Sequence, residues 1–307
     1  MTEMKKTALI GAGALGVMYG QKLTEAFGKE RVCFAADEER IRKYKAEGLF
    51  CNGKPCEFRF VPAGFQEEKA DLVIFATKYT GLEQAMESVR GLIGPETILL
   101  SLLNGVTSEE KLAERFGPER VIYCVAQEMD ATKTENRVEY RSSGCLLLGE
   151  KDGRSSGRPE MLAEFLEKAG IRARIPEDIR KAQWEKLVFN VGLNQSAAVY
   201  RTNYGGVQKP GPARDTMIAA MREAVQAAET CGIGLEENTV DKWLAVLERM
   251  NPEGMPSMSQ DIRDRRPTEV ELFSGTICRL GRKYHFPTPV NDWLYERILE
   301  IEKSWQD

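Results

Sequence analysis

Three polar side chains recur at helical spacing within an otherwise apolar segment. Lys186, Asn190 and Asn194 stand four residues apart, so on a helix they form a stripe along one face. The positions around them are apolar: Leu187, Val188, Phe189, Val191, Leu193, Ala197 and Ala198. An ammonium group and two amides are costly to bury without partners, so the stripe indicates a polar cleft or a ligand. A solvent-exposed helix face would carry the same residues, and that alternative stays open.

A glycine-rich turn near the start of the chain is typical of a dinucleotide-binding loop. Gly11, Gly13 and Gly16 form a GxGxxG pattern that follows a short apolar run and opens a helical pattern. The first glycine makes the tight turn, the second lets backbone approach a pyrophosphate, and the third permits close packing of helix on strand. The helix that starts here, with Ala14 and Leu15, supplies N–H donors and a positive dipole end. These residues are therefore predicted to bind a dinucleotide cofactor. Without the flanking strand-like runs, the pattern would indicate no more than a glycine-rich turn.

An acidic residue at the end of the second strand-like run bears on the choice of cofactor. Asp37 stands where a carboxylate can accept a hydrogen bond from the ribose 2′-OH of NAD(H) and repel the 2′-phosphate of NADP(H). Glu38 and Glu39 follow it and strengthen that repulsion. This pattern predicts that NADH is accepted. A second interpretation is that Asp37 only caps the next helix, because a carboxylate is favourable at a helix N-terminus.

The segment from Ser257 to Glu271 is the other candidate site, and its charges also have a structural interpretation. Thr268 and Glu271 fit a capping box at the start of a predicted helix over residues 268–284, with Glu269 in its first turn. The arginines before this helix are typical of a solvated charged face. They are Arg263, Arg265 and Arg266.

The elements that must position these residues divide into an α/β half and a helical half. Up to about Pro176, short continuous apolar runs alternate with amphipathic stretches, the pattern of parallel strands covered by helices on both faces. Helical patterns then dominate, over residues 179–200, 212–231, 238–250, 268–284 and 291–305. We therefore predict an α/β N-terminal Rossmann-type dinucleotide-binding domain over residues 1–176, followed by an all-α C-terminal substrate and catalytic domain over residues 177–307.

Composition excludes several classes of function. The 307 residues are 42% apolar and carry a net charge of −4, so no global positive charge favours a nucleic acid or an acidic membrane. A charged fraction of 29% interrupts every apolar run, which predicts a soluble protein. The seven cysteines contain no CxxC pair, and the sequence has a single histidine. Neither a disulfide scaffold nor a metal site is therefore expected. We expect a reduced, cytoplasmic protein.

The chain resembles the ketopantoate reductase (2-dehydropantoate 2-reductase) family over nearly its whole length. The matching segments are the GAGALG turn at 11–16, Ala-Thr-Lys78, Leu-Leu-Asn104-Gly105, Trp-Glu-Lys186-Leu with Asn190 and Asn194, and Ser257-Met-x-Gln-Asp261 leading to Arg266-Pro-Thr-Glu269. The resemblance implies reduction of the 2-dehydropantoate ketone to (R)-pantoate with a nicotinamide cofactor, usually NADP(H), in pantothenate and coenzyme A biosynthesis. The implied partner is a small-molecule 2-oxo acid.

The resemblance also implies roles for individual residues. Lys186 would be the general acid, hydrogen-bonding the ketone oxygen and delivering a proton as hydride arrives at the carbon. Glu269 would bind the substrate or hold Lys186 in place, since a nearby carboxylate keeps a lysine charged. The implied substrate-binding residues are Asn104, Asn190, Asn194 and Ser257, and the implied positions in the cofactor cleft are Lys78 and Asn104.

The chain departs from the family pattern at three positions. Asp37 stands where the family commonly has an arginine for the 2′-phosphate, which again favours acceptance of NADH. Gln195 replaces a usual proline and Ser274 a usual asparagine, and both lie near the implied substrate helices. A changed pocket could suit another branched 2-oxo acid, so that alternative stays open.

Two further alternatives concern the class of protein and its assembly. A nicotinamide-binding sensor without turnover would share the fold, but it has no need for a proton donor such as Lys186. A different 2-hydroxy-acid or opine-type dehydrogenase would share the glycine turn and the lysine. A homodimer also stays open, because an amphipathic helix has the same pattern whether it covers a core or a second copy.

Overall fold

The computed structural model describes residues 4–66 and 68–305. The chain divides into two compact units, Met1–Ile179 and Arg180–Asp307.

The described part of the first unit is built from strands and helices that alternate along the chain. Its strands are β1 (Thr7–Ile10), β2 (Val32–Ala36), β3 (Phe50–Cys51), β4 (Lys54–Pro55), β5 (Arg59–Pro62), β6 (Ala70–Phe75), β7 (Ile93–Ser101), β8 (Val121–Met129), β9 (Thr132–Thr134), β10 (Arg137–Glu139), β11 (Ser143–Gly149) and β12 (Ala173–Arg174). Its helices are α1 (Ala14–Phe27), α2 (Glu38–Glu47), α3 (Leu82–Val89), α4 (Ser108–Phe116) and α5 (Arg158–Lys168).

Eight of these strands form one sheet in the order β12-β11-β8-β7-β6-β1-β2-β5. All neighbours in this sheet run parallel except β8 and β11, which are antiparallel. The central strands are buried on both faces, and Leu9, Leu72 and Leu99 have no exposed surface. This burial explains why the strands are continuous apolar runs in the sequence instead of alternating ones.

The strand order reverses at β1, which has β2 on one side and β6 on the other. In open parallel sheets, the loops at the carboxyl ends of such strands separate there and leave a crevice for a ligand. The loops after β1 and β6 therefore frame the natural binding position of this unit.

A second, four-stranded sheet has the order β4-β3-β10-β9, and helix α1 packs against β10 and β3. Local sequence patterns do not predict this sheet. Its strands have two or three residues each, too few for a repeating pattern of apolar and polar side chains. The small sheet places its edge strand β9 in the same unit as the glycine turn.

In the described residues of the second unit, helices connected by loops and turns are the regular secondary structure. Its helices are α6 (Ile179–Val199), which begins at the division between the units, α7 (Tyr204–Gln208), α8 (Pro212–Thr230), α9 (Thr239–Glu248), α10 (Ser257–Arg263), α11 (Ser274–Tyr284) and α12 (Pro289–Lys303). The predicted fold class, an α/β region followed by an all-α region, is confirmed. None of the helices in the described part of the chain has the length and apolarity needed to cross a bilayer.

The prediction of one helix over residues 268–284 is wrong in its first part, because α11 begins only at Ser274. The Thr268 N–H donates to Glu302 Oε1 at 2.7 Å, and the Val270 N–H donates to the Thr268 hydroxyl at 3.3 Å. These bonds hold the backbone in turns, so the predicted capping box of Thr268 and Glu271 does not form and Glu269 lies before the helix. Helices α7 and α10 are not among the helices that the sequence patterns predict.

Candidate active site

The polar stripe lies on α6, whose apolar residues pack into the core of the second unit. Asn190 and Asn194 are 9% and 6% exposed, and Lys186 on the same face is half-buried. The interpretation of the stripe as a solvent-exposed face is therefore wrong for the two asparagines. Each buried amide group therefore needs a hydrogen-bond partner, either in the protein or on a ligand.

The amide of Asn194 connects α6 to the start of α10. Its Oδ1 accepts a hydrogen bond from the Ser257 hydroxyl at 3.0 Å and lies 3.4 Å from the donating Met258 N–H. Its Nδ2 donates to Asn190 Oδ1 at 3.1 Å. Asn190, Asn194 and Ser257, three residues predicted to bind substrate, thus form one hydrogen-bonded chain.

This chain of hydrogen bonds has a direction. The Ser257 hydrogen is used on Asn194, so the Ser257 oxygen keeps its lone pairs for accepting another hydrogen bond. The oxygen of Asn190 is used by Asn194, so its amide NH₂ group is the donor that remains. Ser257 is exposed, whereas Asn190 is nearly covered. The chain therefore offers an acceptor at one end and a donor at the other.

The charged segment after α10 is more ordered than a solvated face. Arg266 donates from Nε to Asp261 Oδ1 at 2.9 Å, and its backbone N–H donates to the Asp261 carbonyl at 2.8 Å. Hydrogen bonds from Arg263 and Arg266 lower the pKa of Asp264 to about 2. The Arg263 and Arg266 side chains are nevertheless 61% and 43% exposed, so the predicted solvated face is present, and Arg266 in addition bonds the buried Asp261.

The departures Gln195 and Ser274 contact each other directly. The Ser274 N–H, the first of α11, donates to Gln195 Oε1 at 3.1 Å, while Gln195 Nε2 donates to the Val191 carbonyl at 2.7 Å. The Ser274 hydroxyl donates to Asn291 Oδ1 at 3.0 Å. Neither Gln195 nor Ser274 has exposed surface. Gln195 thus caps α11 from a neighbouring helix, and the two departures change packing inside the unit, not a surface open to ligands.

The glycine turn has the geometry of a backbone cradle. Gly11 has φ of +100°, and a Cβ there would lie 2.6 Å from the carbonyl carbon and oxygen of Ala76. A Cβ on Gly16 would lie 1.9 Å from the Gly11 oxygen, so only glycine lets α1 pack this closely on the turn. A Cβ on Gly13 would lie 3.6 Å from its nearest neighbour, the Ala76 oxygen, which is an ordinary contact. The missing side chain at Gly13 leaves room for a group that approaches the backbone.

The start of α1 fits an anionic group in that room. Its N-cap, Gly13, makes no side-chain hydrogen bond to the helix, and the first turn contains no acidic residue. N–H groups and the positive end of the helix dipole are therefore suited to a phosphate. The turn fits the pyrophosphate of a dinucleotide.

Two other predicted cofactor positions follow strands at the same sheet edge. Lys78 is exposed three residues after the end of β6, and Asn104 is half-buried three residues after the end of β7. The loop after β6 touches the turn after β1, where the Ala76 N–H donates to the Ile10 carbonyl at 2.8 Å. Lys78 and Asn104 thus follow carboxyl ends of parallel strands, as the glycine turn does.

Asp37 is the N-cap of α2. Its Oδ1 accepts a hydrogen bond from the Arg40 N–H at 2.8 Å, and its Oδ2 lies 3.4 Å from Arg40 Nε. The interpretation of Asp37 as a helix cap is therefore confirmed. The ion pair of Oδ2 is exposed to solvent, and a carboxylate oxygen has more than one lone pair, so Asp37 can still accept a hydrogen bond from a ligand.

Lys133 is a charged residue at the glycine turn that the sequence analysis misses. It lies on β9, 121 residues from Ala12 in the chain, and its Nζ donates to the Ala12 carbonyl between the first two glycines. No local pattern could predict this contact, because β9 has three residues and the small sheet alone brings it to the turn.

The described residues contain no group of three or more His, Cys, Asp or Glu side chains arranged to hold a metal ion.

Comparison with known proteins relates both units to one family. A family model described as Ketopantoate reductase PanE/ApbA matches residues 7–153, and the model of its C-terminal region matches residues 178–302. The chain is 30% identical over 303 residues to a 2-dehydropantoate 2-reductase of Archaeoglobus fulgidus, an alignment that covers 98% of this chain and 99% of that protein.

Solved structures give the same relation. A 2-dehydropantoate 2-reductase from Geobacter metallireducens is 28% identical with a TM-score of 0.84, over 96% of this chain and 99% of that one. D-mandelate dehydrogenase, solved with NADH and anilino(oxo)acetate, is 26% identical with a TM-score of 0.87, over 98% and 99% of the two chains. The resemblance inferred from the sequence motifs is confirmed.

Proposed function

Because the chain belongs to the ketopantoate reductase family, we propose that it reduces ketopantoate (2-dehydropantoate) to pantoate with a nicotinamide cofactor. Family membership makes it an oxidoreductase. The observation that carries the substrate is the hydrogen-bonded chain that runs from Asn190 and Asn194, on the same face of α6 as Lys186, to Ser257 on α10.

The direction of that chain matches the substrate. Ketopantoate carries a carboxylate, which needs a donor, and a hydroxyl group, which needs an acceptor. The Asn190 NH₂ group supplies the donor and the Ser257 oxygen supplies the acceptor, because Asn194 is bonded to the Asn190 oxygen and to the Ser257 hydrogen. Asn194 is then a positioning residue that orients both neighbours.

The chemistry assigned to this chain is a proton transfer. When bound, the nicotinamide cofactor supplies the hydride that reduces the carbonyl carbon. Lys186 hydrogen-bonds the ketone oxygen with its ammonium group and transfers a proton to that oxygen as the C=O bond becomes C–OH. Glu269 keeps Lys186 charged or contacts the substrate.

The cofactor binds through the first unit in this proposal. Gly11, Gly13, Ala14, Leu15 and Gly16 hold the pyrophosphate through backbone, and Lys78 and Asn104 line the same edge of the sheet. Asp37 accepts from the ribose 2′-OH, so NADH is used as well as NADPH.

A second candidate is the reduction of a different 2-oxo acid. The structural similarity to D-mandelate dehydrogenase, which was solved with NADH and anilino(oxo)acetate, favours it. An aryl 2-oxo acid has no hydroxyl group for Ser257 to accept from, which favours ketopantoate.

The test compares initial rates of cofactor oxidation with ketopantoate and with phenylglyoxylate, each with NADH and with NADPH. We expect a higher kcat/KM with ketopantoate. A higher kcat/KM with phenylglyoxylate would replace the substrate and keep the reaction type, whereas no turnover with any 2-oxo acid would contradict the proposal.

A further inference from the structure

The ammonium group of Lys133 is brought to the glycine turn by an element that no local motif predicts. Lys133 is the middle residue of β9, one of the two edge strands of the small sheet. Its Nζ donates to the carbonyl of Ala12, the residue between Gly11 and Gly13. The ammonium therefore lies beside the backbone of the glycine turn, at the residue between its first two glycines.

The surroundings of Lys133 do not compensate its charge. The side chain is half-buried, and burial together with the like charge of Lys43 lowers its pKa. The Tyr44 ring lies 5.8 Å from Nζ and offers a weak cation–π contact. Within residues 4–66 and 68–305, no carboxylate lies at ion-pair distance from Lys133. A half-buried ammonium without an acid beside it is stabilised when an anion binds next to it.

We propose that Lys133 binds the pyrophosphate of the dinucleotide at the glycine turn, an inference that rests on the proposed function. An ammonium group has three donors, and the Ala12 carbonyl uses one of them. That bond holds Nζ in place before the ligand arrives, and the remaining donors are available to phosphate oxygens. A compact, strongly charged ammonium suits a phosphate, and a hydrogen bond to an ionised group is stronger than one between neutral groups.

The position of Lys133 suits the pyrophosphate of the cofactor better than the 2′-phosphate of NADPH. Lys133 is fixed to the turn itself, whereas the ribose 2′ position is set by Asp37 at the end of β2. The pyrophosphate is common to NADH and NADPH, so the contribution of Lys133 is the same for both cofactors. Lys133 therefore adds affinity and no preference between them.

The test measures dissociation constants of NADH and NADPH by calorimetry for the wild type and four variants. Lys133→Met removes the charge, Lys133→Gln keeps a donor for Ala12 without the charge, and Lys133→Arg keeps the charge. Lys54→Met is the matched control, since Lys54 is an exposed lysine on β4 of the same sheet. Thermal unfolding without ligand reports whether each variant folds.

We expect Lys133→Met and Lys133→Gln to weaken binding of both cofactors by roughly 10- to 100-fold, from the loss of a charged hydrogen bond. Lys133→Arg and Lys54→Met should stay near the wild type. Unchanged affinity in a folded Lys133→Gln, or a loss confined to NADPH, would overturn the assignment to the pyrophosphate. If the wild type binds neither cofactor, the proposed function itself is contradicted, which distinguishes this outcome from a failure of the Lys133 assignment.

Discussion

The orientation of a single amide, that of Asn194, decides which atoms near α6 are left for a ligand. Two donors from the start of α10 hold its oxygen, so its nitrogen faces Asn190. Reversing the amide would place its NH₂ group against the Met258 N–H, a donor against a donor, and its oxygen against Asn190 Oδ1, an acceptor against an acceptor. The polarity of the proposed substrate site therefore follows from hydrogen bonds inside the protein.

At Ser257, this polarity gives a substrate-dependent prediction. Ser257→Ala removes the acceptor for a substrate hydroxyl, so KM for ketopantoate should rise roughly 3- to 10-fold, the worth of one neutral hydrogen bond. With phenylglyoxylate, which has no hydroxyl group, KM should not change. Steady-state kinetics on both substrates test this, and an equal rise for both would mean that Ser257 acts only by supporting Asn194.

A substitution at Asp37 can separate its role as a helix cap from its proposed role in the choice of cofactor. Asn caps a helix as well as Asp does, so Asp37→Asn should keep α2 capped while it removes the charge that repels a 2′-phosphate. We expect KM for NADPH to fall roughly threefold to tenfold relative to KM for NADH, with an unchanged melting temperature. If the ratio of the two KM values stays the same, Asp37 is a cap and has no effect on cofactor choice.

At the scale of elements, helix ends carry much of the polar organisation. Glu223 accepts from the N–H groups of Val290 and Asn291 at 2.8 and 2.9 Å, so it caps α12 from α8. Gln195 does the same for α11 from α6. A bond of this kind also replaces the local capping box expected at Thr268. The Thr268 N–H donates to Glu302 of α12 instead of to a side chain of its own segment.

Helix α4 carries a buried acid, and it predicts how stability depends on pH. Glu109 is 1% exposed, its Oε2 accepts from the Ser108 hydroxyl at 2.8 Å, and burial raises its pKa from 4.5 to about 7. The unfolded chain releases this proton near pH 4.5 and the folded chain near pH 7, so the folded state holds more protons between them. The stabilisation by protonated Glu109 is thus complete below pH 4.5 and is lost as pH rises through 7.

Glu109→Gln should remove this dependence. The stability of the variant relative to the wild type should rise by about 3 kcal/mol between pH 4.5 and 8, since one pKa unit corresponds to about 1.4 kcal/mol. Urea unfolding across that range measures it, and the difference between the two proteins cancels the other titrating groups. Glu114→Gln removes a charge from the exposed side of the same helix and is the control. A constant difference would show that Glu109 is ionised in the folded state.

At the scale of the whole molecule, the sequence predicts what local patterns encode. Continuous apolar runs and the glycine turn identify the parallel sheet, because buried strands and a tight turn restrict residue types at each position. The spacing of Lys186, Asn190 and Asn194 identifies one face of α6, and the comparisons confirm the family.

The rest depends on contacts between distant residues. Ser257 lies 63 residues from Asn194 and Lys133 lies 121 residues from Ala12, so neither hydrogen bond leaves a periodic signal. The two- and three-residue strands of the small sheet are stabilised by their neighbours and not by their own sequence. The start of α11 is set by Gln195, which no pattern within α11 could reveal.

The most direct test of the account is the turnover of ketopantoate by the wild type and by Lys186→Ala, with the dissociation constant of the cofactor measured alongside. The wild type should oxidise NADH or NADPH on addition of ketopantoate, and Lys186→Ala should lower kcat roughly 100-fold or more while cofactor affinity stays nearly unchanged. Full activity in Lys186→Ala, or an equal loss of cofactor affinity, would contradict the assignment of Lys186 as the proton donor.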